Sequence, residues 1–235
     1  MKLTSQQIDH LFTFTRQHYV EWYDLQSELV DHIANAIETQ WQENPNRSFD
    51  EALQLEFKKF GVFGFMDVVE KRQAVLDKKY NGLVWQHFKD FFGIPKIILT
   101  IAMTLVLYSI LKISAYSAWI FVGLYLIVVG FTFYELFKNN RIKKRKKQTQ
   151  EKRWLFEEII NQYGSFSGAI IFPFNVFVSV FNHSEKYLGN YYWMMGLSFF
   201  LVVVILLLFI IFKIIPAKAE EYLQTTYPEY KLENV

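Results

Sequence analysis

Four apolar stretches lie between Ile94 and Ile215, separated by short polar turns and by one strongly basic segment. An apolar run of about 18 or more residues matches the hydrocarbon thickness of a bilayer. Helices that satisfy every backbone group internally are the form such runs take there. The basic segment sets their orientation. Lys138, Arg141, Lys143, Lys144, Arg145, Lys146, Lys147, Lys152 and Arg153 all fall between the second and third stretches. Lys and Arg beside closely spaced spans stay on the cytoplasmic side. With this segment inside, four spans also place both termini in the cytoplasm.

Span one is expected from Ile94 to about Lys112, with Pro95 near its start, where a missing amide costs little. Residues 112–117 form an outer turn. Span two runs from Ala118 to Phe137, with Glu135 at its cytoplasmic end. After Trp154, Glu157, Glu158, Asn161 and Gln162 hold the next turns at the interface, leaving a core for span three from Ser165 to Asn182. The outer loop 183–190 leads to span four, Tyr191 to Ile215. Tyr116, Trp119, Trp154, Tyr187, Tyr191, Tyr192 and Trp193 fall where amphipathic rings favour the headgroup level. The tail from Ala217 carries Tyr222, Tyr227 and Tyr230 and is expected to be a short helix followed by disordered chain.

The formal charge of +2 conceals a mildly acidic N-terminal part and the basic segment. Cations placed beside spans point to anionic lipid headgroups, and nucleic acid is not an expected partner. The chain has no cysteine, which excludes disulfides, thiolate metal sites and cysteine nucleophiles. The first ten residues lack the apolar core of a signal peptide, so insertion is expected to be driven by the internal spans.

The first ninety residues read as helices. Thr4 with Gln7, and Ser48 with Glu51, have the spacing of capping boxes. The first stripe is Ile8, Leu11, Phe12, Thr15 and Tyr19. The second is Trp22, Leu25, Leu29, Ile33, Ile37 and Trp41, with Asp24, Ser27, Asp31, Asn35 and Glu38 on the opposite face. The residues around Pro45 end that helix. A third helix carries Phe49, Ala52, Leu53, Phe57 and Phe60, with Gly61 as its left-handed stop. A fourth runs from about Val68 towards Phe91. No stretch alternates with period two, so the fold class is all-α.

Tyr23, Glu28, Leu29, Asp31, His32 and Glu38, then a turn, then Phe49 to Ala52 and finally Phe60 and Gly61, resemble the HAAS-type and permease-prefix helical domains. The resemblance covers about residues 15–80. Such modules precede membrane spans in bacterial proteins, often beside PadR-type regulators or ABC-type permeases. What it implies is a cytoplasmic regulatory or docking role with no catalytic residues.

Other constellations carry weaker chemistry. Glu28 and His32 share a helix face beside Asp31, and His10 and His18 would be needed to complete a metal site. The order is not that of a zinc protease, and an ion pair tying helices together is the expectation. No ionisable side chain lies in the middle of a span, which disfavours proton pumping and intramembrane proteolysis. Pro173 and Asn175 are a polar irregularity at depth, expected to be a packed kink, with a hinge or small ligand site as the alternative. Gly164 with Gly168, and Gly123 with Gly130, offer faces for close helix approach within the bundle, or in a homo-oligomer.

The sequence therefore predicts an N-terminal cytoplasmic helical domain (1–92), a four-helix transmembrane bundle (93–216) and a cytoplasmic tail (217–235), in a bacterial inner membrane. The expected work is that of a regulatory, sensing or scaffold protein that docks a cytoplasmic or membrane protein partner. An accessory or permease subunit of a transporter is the alternative. No enzyme activity, cofactor or metal is expected. Lys143, Lys144, Arg145, Lys146 and Lys147 are the candidate lipid- or partner-binding residues.

Overall fold

The computed structural model describes residues 2–113, 116–148, 152–162 and 167–230. Among the described residues the regular structure is all helix, with no strand. It divides into two compact units. The first joins three separated stretches, Met1–Lys78, Gln150–Ile159 and Leu223–Val235; the second holds Lys79–Thr149 and Ile160–Tyr222. Hydropathy alone divides the chain consecutively, because it cannot see that residues far apart in sequence share one core.

In the first unit, α1 (Ser5–Gln17), α2 (Tyr23–Glu43), α3 (Phe49–Lys58) and the start of α4 (Met66–Asp90) follow the expected stripes. Both capping boxes form. The Gln7 amide donates to Thr4 Oγ1 at 3.3 Å, and Gln7 Oε1 accepts from the Thr4 amide at 2.8 Å. Ser48 and Glu51 repeat the exchange at the head of α3. Leu11, Leu25, Leu29, Ile33, Ile37, Ala52, Leu53 and Phe65 are buried together with Trp41. A polar lock closes the α2–α3 corner: Arg47 donates to Gln40 Oε1 at 2.7 Å, Gln40 donates to the buried Glu56, and Trp41 Nε1 donates to the Arg47 carbonyl at 2.9 Å.

Tyr19 departs from the expected stripe. Helix α1 ends at Gln17, Tyr19 adopts φ 66° and stands 77% exposed, and Phe14 takes the inward position. Gly61 has φ 77°, the left-handed geometry expected of it.

Among the described residues of the second unit, three helices are long and apolar enough to cross a membrane: Lys96–Ile113 (α5), Ser117–Ile142 within α6 (Ser117–Gln148), and Tyr191–Ala217. The last comprises α10 (Tyr191–Phe209), a π-helical turn (Ile210–Ile214) and α11 (Ile215–Ala217). Between α6 and α10 in sequence come α7 (Leu155–Gln162), which begins in the first unit, and then α8 (Ser167–Asn182) and α9 (Ser184–Leu188). With 16 described residues, α8 falls short of the span length. Even so, Val180 from its end clusters with Leu111 of α5, Phe121 of α6, Leu188 of α9, and Met194 and Leu197 of α10. Phe177 of α8 also stacks on Tyr125 of α6 at 4.1 Å. The tail carries a final helix, α12 (Ala219–Thr226), whose end belongs to the first unit.

The basic segment, expected to be a loop, is instead helical as far as Gln148. No Gly or Pro interrupts residues 131–148, and Lys, Arg and Gln are good helix formers, so the basic residues continue α6 beyond its apolar part.

Candidate functional site

The most elaborate polar site in the first unit lies at the head of α2. Asp24, expected on the solvent face, is only 7% exposed. Its Oδ1 accepts a hydrogen bond from the Leu155 amide at 3.1 Å. One residue on, the Phe156 amide donates to the Tyr227 hydroxyl oxygen at 3.3 Å. These two amides belong to the first turn of α7, where helix N–H groups have no partner inside the helix. A carboxylate and a phenol oxygen supply what the helix cannot.

Aromatic packing surrounds these bonds. Trp154 lies 5.5 Å from the Tyr23 ring, 4.9 Å from Tyr227 and 5.3 Å from Tyr230. It is 4% exposed, so the ring expected at the headgroup level is packed against protein. The expected short helix of the tail is α12, and the residues expected to follow it as disordered chain are described only as far as Tyr230. Tyr227 is buried, because its ring completes this cluster. The Tyr23 amide donates to the Arg153 carbonyl at 2.7 Å, and Trp22 Nε1 donates to Glu158 at 2.8 Å. Arg153 bridges Glu21 and Glu158, the latter at 2.6 Å.

The electrostatics follow from burial. Loss of water raises the Asp24 carboxyl above the usual range, opposed in part by Tyr227, by the Leu155 amide and by Arg72. Oδ2 of Asp24 and Nε of Arg72 are buried without partners in good hydrogen-bond geometry, so Tyr227 relieves the carboxyl only partly. Tyr227 is pushed well above the ordinary phenol range, first by burial and then by the Asp24 charge, so it stays protonated. Beside this junction a cavity of about 520 Å³ is bordered by Asp9, Phe12, Arg16, Glu21, Tyr23 and Lys152, among others. Lys152 Nζ lies 4.1 Å above the Tyr23 ring.

The second unit holds an ion pair. Lys213 Nζ donates to Glu135 Oε1 at 2.7 Å, with the Glu135 side chain 4% and the Lys213 side chain 45% exposed. Lys213 sits in the π-helical turn, where the widened ladder re-aims side chains. A lone Lys in an apolar stretch, with a Glu near the end of an earlier apolar stretch, is the available signal. The averaged hydropathy of 191–215 hides it.

The predicted residues are scattered. Glu28, Asp31 and His32 are exposed, while Tyr23 belongs to the junction. His10 packs edge-on to Phe49, His18 against Phe57, and His32 near Phe60, so the histidines do not converge. Among the described residues no three His, Asp or Glu side chains gather as a metal site would. Lys144 and Arg145 are exposed on α6, and Asn175 is exposed on α8. Gly164 lies outside the described residues; for Lys143, Lys146, Lys147, Gly168 and Pro173 the description covers the backbone alone. No protein-family model matches the chain, and neither a curated protein nor a solved structure is found to be similar to it.

Proposed function

We propose that the chain is a four-span protein of a bacterial inner membrane with both termini cytoplasmic. On this reading its helical unit, of the HAAS type, couples the membrane helices to a docked protein partner in a regulatory, sensing or scaffold role without catalysis. One observation carries this reading: the unit that contains α1–α3 also contains residues 150–159 and the tail. If α5 and α6 both cross, the chain returns to its starting side before Trp154. If α10 crosses once, the tail rejoins that side only after one further crossing between residues 159 and 191. The packing of Val180 against α5, α6 and α10 favours α8 for it. Segments flanking three of the four spans would then converge on Asp24 and Trp154, so a shift of the spans would be felt by the helical unit.

Lys138, Arg141, Lys144 and Arg145, exposed on α6, suit anionic headgroups, and the cavity beside Tyr23 suits a side chain of the partner. The Glu135–Lys213 pair, which links the ends of two apolar helices, favours a second reading, a transport accessory or permease subunit, because ion pairs between such helices can serve a pathway. Affinity capture of the full chain in mild detergent, compared with a chain lacking residues 1–92, separates these readings. A regulator captured only by the full chain supports coupling, and an ABC ATPase supports transport. The same proteins captured by both chains would contradict a docking role for the helical unit.

A further inference from the structure

The turn between α3 and α4 presents two apolar side chains to water on a stiff support. Val62 is 98% and Phe63 71% exposed, while Phe65 two residues later is 1% exposed. Gly61 and Gly64 flank the pair at φ 77° and 56°, a region that suits glycine. The Gly61 amide donates to the Lys58 carbonyl at 3.1 Å, that of Gly64 to Gly61 at 3.3 Å, and that of Met66 to Phe63 at 3.2 Å. A Cβ on Gly64 would stand 3.1 Å from the Phe57 ring, so the turn lies hard against the core. Phe65 anchors it from behind, 5.0 Å from Phe57 and 4.8 Å from Phe60. The knob is therefore wound tightly and held from below. Lys58 precedes it, exposed, and Lys59 keeps its side chain 68% exposed while bonded to Glu56.

We propose that this turn is a membrane-surface anchor, with Val62 and Phe63 entering the headgroup–acyl boundary and Lys58 and Lys59 lying at the level of anionic phosphates. Cations on the α3 side of an apolar tip have the charge order of an interfacial segment, while Asp67 and Glu70, exposed on the α4 side, oppose it. A knob of two side chains falls far short of the area that a stable protein interface buries. A bilayer demands no complementary shape, and a chain already tethered to one meets its surface at high effective concentration. The proposal rests on the membrane reading of the three apolar helices.

Because the chain has no cysteine, Phe63→Cys places one label at the tip of the full-length protein. Phe199→Cys, on an exposed position of α10, reports insertion. Both are reconstituted in vesicles of zwitterionic lipid with and without anionic lipid. The proposal expects a blue shift, quenching by shallow spin-labelled lipid and loss of iodide quenching at position 63, in anionic vesicles above all. Lys58→Gln with Lys59→Gln should reverse these changes, and Val62→Cys should reproduce them. A tip label open to iodide while the Phe199 label meets lipid would overturn the proposal alone. Shielding that vanishes on dilution of protein in lipid would overturn it in favour of a second copy. A Phe199 label that never meets lipid would overturn the membrane reading, and this anchor with it.

Discussion

The Asp24 carboxylate accepts the Leu155 amide at 3.1 Å, so a buried acid on α2 holds the start of α7, 131 residues along the chain. Since burial raises this carboxyl, the folded junction prefers the protonated acid. The sign follows from linkage. A group whose folded pKa is raised contributes stability that is complete below its unfolded value, near 3.8, and lost as pH rises through the folded value. Asp24→Asn keeps an acceptor for Leu155 and removes the titration. The melting temperatures of variant and wild type should agree in acid and diverge in favour of the variant as pH rises above 3.8. A difference independent of pH would contradict this account of Asp24.

Tyr227→Phe removes the oxygen that accepts the Phe156 amide and leaves that buried donor without it. A loss of about 1–3 kcal/mol is expected, the usual cost of an unsatisfied buried group. Trp154→Ala empties the aromatic cluster and should cost about 3–5 kcal/mol. Thermal unfolding in detergent measures both. Proteolysis should then release the tail first, since Tyr227 and Tyr230 lose their packing surface.

How much of this was legible in the sequence depends on range. The Thr4 and Ser48 caps are written within four residues, and the α2 stripe within twenty, so both can be read locally. Tyr19 sits at helical spacing but follows a cap whose geometry no periodicity reports. The Trp154 environment depends on Tyr23 and Tyr227, each more than seventy residues distant, and a Trp beside a span looks the same whether it meets lipid or protein. Asp24 on a polar face gave no sign that another segment would cover it. Lys213 was diluted by its apolar neighbours, and Glu135 was seen without its partner.

Lys213→Met leaves the Glu135 carboxylate without this cation. A loss of about 1–3 kcal/mol is expected, less than for a fully buried pair because Lys213 is 45% exposed. Combining it with Glu135→Leu should restore most of the stability, because neither charge is then stranded. A double variant as unstable as the sum of the single ones would show that the two residues act independently.

Changing Lys143, Lys144, Arg145, Lys146 and Lys147 to Gln tests whether the end of α6 binds lipid. Each cation near an anionic surface contributes about 1 kcal/mol. A peptide of residues 138–153 should therefore lose binding to acidic vesicles by orders of magnitude, and raised salt should imitate the change. Equal binding of both peptides at low salt would leave orientation in the membrane as the segment's role.

The gathering of α2, residues 150–159 and the tail into one unit makes membrane sidedness the central claim. Single cysteines at Glu43, Glu185 and Glu229, in a chain that otherwise has none, can be probed with a membrane-impermeant maleimide in intact cells. The account predicts that Glu185→Cys is labelled from outside, while Glu43→Cys and Glu229→Cys react only after the membrane is opened. Labelling of Glu229→Cys from outside, or protection of Glu185→Cys until the membrane is opened, would contradict it.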